Sequence, residues 1–218
     1  MKSTAWRNKL LINGDRLNQT ITRLAQVGQL PDGGVKRIAY SQEDILARNL
    51  VQTWMSQAGM KVRIDAAGNI IGRYPGKYQD APALATGSHI DTVPCGGHYD
   101  GAYGVLAGIE IARSLHENNI LLNHPFEVIV FTDEEGSMIG SKAISGGVIN
   151  NPDYYLRPDG TDIFSCLEKI GGNWHNIAQV RRSSKDIAAF VELHVEQGPV
   201  LESMDKKIGV VEGIVGQR

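Results

Sequence analysis

The stretch Phe126-Glu127-Val128-Ile129-Val130-Phe131-Thr132-Asp133-Glu134-Glu135-Gly136 decides the fold class. Its first seven residues are β-branched or apolar apart from Glu127, the composition of a buried strand. Three consecutive acids and a glycine then end the strand abruptly. Two other segments repeat that design. Ala83–Thr86 is a short buried strand running into Gly87-Ser88-His89, and Ala188–Val195 is a strand that ends among Glu192, His194, Glu196 and Gln197. Between the first two, Gly101–Leu115 reads as a helix with small residues at its start. Strand, helix, strand, with polar clusters just past the strand ends, is the pattern of an open α/β sheet. Such sheets bind ligands at those ends. The expected architecture is an open mixed sheet with helices on both faces.

Further out, Asn13 to Val27 forms a helix capped by Asn13, with Leu17, Ile21 and Leu24 in one stripe and Gly28 as its stop. Ser41 with Asp44 is close to a capping box. Ala47, Leu50, Val51, Trp54, Met55 and Ala58 follow at helical spacing up to Gly59. Lys61–Asp65 and Asn69–Tyr74 make two short strands about a turn containing Gly68. Residues 145–185 read as loops with short helical pieces, and Ile208–Val215 as a last strand.

The 218 residues carry 22 Lys+Arg against 24 Asp+Glu, so no excess of positive charge points to nucleic acid or an anionic membrane surface. Hydrophobic residues at 42% and charged residues at 21% are an ordinary globular mixture. Two cysteines, Cys95 and Cys166, make no disulfide framework, which sets a cytoplasmic location as the expectation. The longest stretch without strongly polar side chains, Gly101 to Ile109, is about half of a bilayer span.

The chemistry lies in His89, Asp100, Glu135 and His194, from three segments expected to leave one edge of the sheet. Two imidazoles and two carboxylates suit Zn²⁺, Mn²⁺ or Co²⁺. One metal needs only three of them plus water, so four are more economically read as most of a two-metal site. Asp91, two residues past His89 on an extended chain, returns to the same side and can orient the imidazole. In Gly96-Gly97-His98-Tyr99-Asp100-Gly101 the glycines let the backbone turn Asp100 toward the ligands. Of Glu134 and Glu135, one can bind metal while the other stays free to move a proton. Each residue alone has an ordinary structural explanation; the joint arrangement is the signal. His98, His116, His124 and His175 are assigned to surface or loop roles. No G-x-S-x-G elbow or Walker lysine is present, and Cys95 lacks an activating partner.

Taken together, Gly87-Ser88-His89-Ile90-Asp91-Thr92-Val93-Pro94, Gly96 to Gly101, Thr132 to Gly136 and Glu192-Leu193-His194-Val195-Glu196-Gln197-Gly198-Pro199 resemble the M20 metallopeptidase superfamily. More narrowly they are similar to its amidase branch: N-carbamoyl-L-amino-acid hydrolases, allantoate amidohydrolases and β-ureidopropionase-like enzymes. The resemblance implies that His89 and His194 hold one metal, Asp100 bridges two, and Glu135 holds the second. It makes Glu134 the general base, Asp91 the partner of His89, and Gln197 a substrate contact. The ions implied are Zn²⁺ or Mn²⁺, with Co²⁺ or Ni²⁺ also admissible. A metal-bridging hydroxide activated by Glu134 would attack the carbamoyl carbon of an N-carbamoyl-L-amino acid.

The alternatives are allantoate or another ureido acid, an aminoacyl- or dipeptide substrate, and a metal-binding fragment without turnover. Histidine at position 194, where the peptidase branch is expected to carry a carboxylate, tilts the reading toward ureido substrates. A homodimer is implied for a full-length member. The resemblance also implies a truncated chain: residues 1–208 as the N-terminal part of a catalytic domain, and 209–218 as the start of a lid or dimerisation domain. The second metal's last histidine, an oxyanion-stabilising histidine and a substrate-carboxylate arginine would lie outside this sequence.

Overall fold

The structure, a computed structural model, describes residues 11–214. Five strands form one mixed sheet: β1 Lys61–Ile64, β2 Ile70–Tyr74, β3 Ala83–His89, β4 Phe126–Phe131 and β5 Ile187–Val191. Their spatial order is β1-β2-β4-β3-β5. The β1 and β2 pairings are antiparallel, whereas β4, β3 and β5 run parallel. All three parallel strands therefore end on the same edge, the edge the sequence marks with acids and histidines.

The helices fall on both faces, as expected. α1 (Gly14–Ala25), α2 (Gln42–Gln57) and α3 (Ala102–Glu117) cover one side. There Leu24, Val51, Met55, Leu106 and Ile109 pack against Ile70, Val128 and Val130. The side chains at Ile71, Ala85 and Ile129 point the other way. That face lies under α4 (Ile139–Ser145), α5 (Ile163–Lys169) and the 3-10 turns 152–155 and 174–180, whose core includes Ile139, Leu167, Trp174 and Ile177. Both faces of β4 are thus dry, which is why its sequence is almost continuously apolar.

The caps agree with the sequence. The Asn13 side chain accepts from Arg16 N–H, and Ser41 Oγ accepts from Asp44 N–H. Asp44 reaches back one residue further than a capping box requires, accepting from Tyr40 N–H at 2.9 Å. The small start of α3 has a packing reason. A Cβ at Gly104 would lie 2.3 Å from the Leu193 carbonyl oxygen and 3.1 Å from Ser88 Cβ, so glycine lets the helix approach β3 and the 192–194 segment.

Three expectations need correction. The strand at 83–86 continues to His89, and the strand expected to reach Val195 ends at Val191. Residues 208–214 form no strand; Val215 lies outside the described residues. The apolar residues that suggested it, Ile208, Val210, Val211 and Ile214, are all exposed and meet no neighbouring strand. Strand propensity reflects packing on a pleated surface, which is missing there. No helix among the described residues is long and apolar enough to cross a membrane.

Candidate metal centre

His89 is the last residue of β3 and is buried. Its Nδ1 lies 2.9 Å from the Asp91 main-chain oxygen. A carbonyl only accepts, so Nδ1 carries the proton and Nε2 keeps its lone pair in the neutral ring. His194 repeats the arrangement, with Nδ1 2.9 Å from the Val195 oxygen. The two rings stack with centroids 5.9 Å apart and planes 29° apart. Both Nε2 atoms face Asp100 Oδ1, at 3.8 Å from His89 and 3.2 Å from His194.

Asp100 Oδ1 is buried without a hydrogen-bond partner. With neutral rings, three electron-rich atoms converge with no donor between them, an arrangement that favours a cation. His89, Asp100 and His194 each place a ligand atom within 4.8 Å of the others, and so do His89, Glu134 and Glu135. The two groups share His89. A borderline-to-hard divalent ion fits this nitrogen and oxygen set. The residues present therefore fit the metal that the sequence implied.

The turns that carry these candidate ligands are held by charges buried beneath them. Asp91 enters differently from the expectation: its carbonyl, not its carboxylate, takes the His89 Nδ1 proton, and the carboxylate stays 3.9 Å from that nitrogen. Asp91 Oδ2 instead accepts from Glu135 N–H at 3.1 Å, tying the 133–136 turn to the end of β3. Burial pushes the Asp91 carboxyl up to about 7, against the opposing pull of His89. Burial also raises Glu135, with Asp100 and Glu134 adding to the shift while His89 and His194 oppose it. Glu134 Oε2 lies 3.5 Å from His89 Nε2, and its side chain is 37% exposed, so it has access to solvent. Gln197 donates from Nε2 to Asp100 Oδ2 at 2.8 Å, leaving Oδ1 for the imidazoles.

Gly101 follows Asp100 with φ +61°, and a Cβ there would lie 2.4 Å from His89 Nε2. Only glycine allows both the backbone turn and an open ligand atom.

Several supporting residues escape sequence reasoning. Arg37 is 2% exposed. Its guanidinium donates to the Ile90, Leu24 and Val27 carbonyls, joining the segment between His89 and Asp91 to α1. Burial lowers its pKa to about 10. Its main-chain N–H donates to Thr92 Oγ1, which makes the clamp two-sided. Asp133 has φ +53° and accepts from Ser137 N–H and from Arg157 at 2.9 Å. That fixes the bend which brings Glu134 and Glu135 close to His89. A local signal existed only for Asp133, at the strand end; the partners of Arg37 and Arg157 are distant in sequence.

The remaining residues have the ordinary roles expected of them. His98 Nε2 lies 2.6 Å from the Gly33 oxygen, and His124 Nδ1 lies 2.7 Å from that of Pro82. Cys95 is exposed, Cys166 is buried in the core, and both are free thiols.

Known proteins resemble this chain in sequence and in fold. A hydantoinase/carbamoylase family amidase from Burkholderia ambifaria superposes with a TM-score of 0.82 at 34% identity, over 93% of this chain and 50% of that one. An N-carbamoyl-L-amino acid amidohydrolase of Geobacillus stearothermophilus is 40% identical over 211 residues, 94% of this chain and 52% of that protein. A ureidoglycolate hydrolase of Oryza sativa subsp. japonica is 35% identical over 212 residues, 93% of this chain and 44% of that protein. The chain thus spans about half the length of the curated relatives it matches. The pattern of Peptidase family M20/M25/M40 covers residues 85–212, from mid-β3 past all four candidate ligands, and the chain belongs to that family, on the side of its amidases.

Proposed function

We propose that this protein is a metal-dependent amidohydrolase that cleaves the linear C–N bond of ureido or carbamoyl compounds, with N-carbamoyl-L-amino acids as its substrates. The observation that carries this reading is the convergence of two imidazole Nε2 atoms on the buried, unpartnered Asp100 Oδ1. In this reading His89, His194 and Asp100 hold one divalent ion, and Asp100 and Glu135 contribute to a second; Zn²⁺ or Mn²⁺ suits the donors, and Co²⁺ or Ni²⁺ is admissible. Such an ion supplies Lewis acidity, polarising a carbonyl and lowering the pKa of water.

The chain's own residues do the rest. Glu134, partly exposed and beside His89, takes a proton from the attacking water and returns it to the departing nitrogen. Water adds at the carbamoyl carbon, the C–N bond breaks, and the amino acid, CO₂ and ammonia result. Gln197 contacts substrate once its amide turns from Asp100 Oδ2. A homodimer, by resemblance, and a cytoplasmic location, from the lack of a disulfide framework, belong to the same proposal. A second reading, a ureido acid such as ureidoglycolate or allantoate, draws on the rice relative.

The test is metal content by mass spectrometry, with ammonia release from N-carbamoyl-L-amino acids and allantoate and amino-acid release from a dipeptide. About two equivalents of metal with turnover of the carbamoyl compounds supports the first reading. Preference for allantoate moves it to the second. About one equivalent and no turnover of any substrate leaves a metal-binding chain and removes the enzyme assignment. A neutral imidazole at position 194 leaves the centre one unit more positive than a carboxylate would, which favours attack on a weakly electrophilic ureido carbonyl. His194→Glu is therefore expected to lower ureido hydrolysis more than metal content; equal loss of both contradicts that role.

A further inference from the structure

At the other end of the sheet, two adjoining hollows of about 310 and 490 Å³ share Arg63, Gln179 and Arg182. In the larger, five cations (Arg63, Arg73, Arg181, Arg182 and Lys185) face three carboxylates, those of Asp80, Glu127 and Asp186. Two of these acids are already engaged. Glu127 is buried on β4 between Arg73 Nη1 at 2.7 Å and Arg182 Nη2 at 2.8 Å. Asp186 Oδ2 accepts from Ser183 N–H and Oγ, both at 2.8 Å. Asp65, in the smaller hollow, accepts from Ala67 and Asn69.

The cations are less satisfied. Arg63, Arg181 and Lys185 form no ion pair among the described residues. Arg182 Nε is buried and has no acceptor. A buried donor without a partner is costly, and an oxyanion is what guanidinium donors satisfy best. Glu127 lies four residues before Phe131, which pairs with His89, so the trough is about 13 Å along the strands from the metal ligands. One small substrate does not span that distance.

We propose that this trough binds a small oxyanion, a phosphate or a carboxylate, independently of the metal centre. Arg182 Nε and the free heads of Arg63 and Lys185 are the donors, and Glu127 holds Arg73 and Arg182 in place beneath it. The proposal does not depend on the hydrolase reading.

Calorimetry on protein stripped of metal by chelating resin, at fixed ionic strength, tests it with pyrophosphate and with succinate. Saturable binding of at least one is expected, and which one binds identifies the source as phosphate or carboxylate. Arg63→Gln with Lys185→Gln changes two exposed side chains and is expected to weaken binding at least tenfold without moving the melting temperature. Arg182→Lys keeps a charge on Glu127 but removes Nε, and is expected to weaken binding as well. No saturable heat with either anion overturns the proposal, as does an affinity unchanged in the double variant.

Discussion

His89 and His194 present the same atom to the same carboxylate, but the protein supports them very differently. The His89 side chain is 3% exposed, sits at the end of a strand paired on both sides, and is backed by Arg37, Asp91 and Gly101. The His194 side chain is 28% exposed and follows β5, an edge strand whose last residue, Val191, is 70% exposed. One half of the candidate ligand set is thus part of the core, and the other is laid against it. If both imidazoles hold metal as proposed, folding and metal binding are expected to be coupled through His89 and nearly independent through His194.

The sharpest way to break that contrast is Arg37→Met. The substitution keeps much of the volume but leaves the Ile90, Leu24 and Val27 carbonyls without their donor. Unpaired buried groups cost roughly 1–3 kcal/mol each, in part recovered by relaxation, so a loss of about 3 kcal/mol is expected. Chemical denaturation of the metal-free protein checks this. A loss below about 1 kcal/mol would mean that the His89 segment holds its shape without the clamp.

Next in size is Gly101→Ala. A non-glycine residue at φ +61° and ψ −48° sits in a sparsely populated backbone region and costs about 1–3 kcal/mol. The added methyl would also sit against His89 Nε2. Metal affinity is therefore expected to fall by about tenfold to a hundredfold, the range seen when the support of a ligand is disturbed. A competition assay with a chromophoric chelator measures it. Loss of stability with unchanged affinity would show that the turn and the ligand are separable.

The same contrast governs how much was legible in the sequence. Strands buried on both faces announce themselves, as β4 does, and so do capped helices such as α2. The convergence of the candidate ligands was readable because parallel strands deliver their ends to one edge. Arg37 was invisible: its carbonyl partners lie 10 to 53 residues away and carry no side-chain signal. The role of the Asp91 carbonyl was hidden for a related reason, since spacing cannot distinguish a main-chain oxygen from a carboxylate in the same residue. α4 was missed because its N-cap, Met138, is left-handed and offers no capping side chain. The 208–214 segment misled in the opposite direction, with strand-forming residues that find no strand to pair with.

The smallest effect on folding, and the one that sharpens the comparison most, is expected from His194→Ala. In the metal-free protein the ring is half-buried, its one hydrogen bond among the described residues is to the neighbouring Val195 carbonyl, and the strand before it lies at the edge. Stability should change by no more than about 0.5 kcal/mol, as for other surface substitutions. His89→Ala removes a buried side chain from the sheet's centre and should cost about 2 kcal/mol or more. Both variants lose a ligand of the same metal group and should lose metal affinity alike. Paired melts and metal titrations on the two variants decide the matter. Equal losses of stability would show that His194 is as deeply built into the fold as His89; unequal losses of affinity would show that the two imidazoles do not serve one ion.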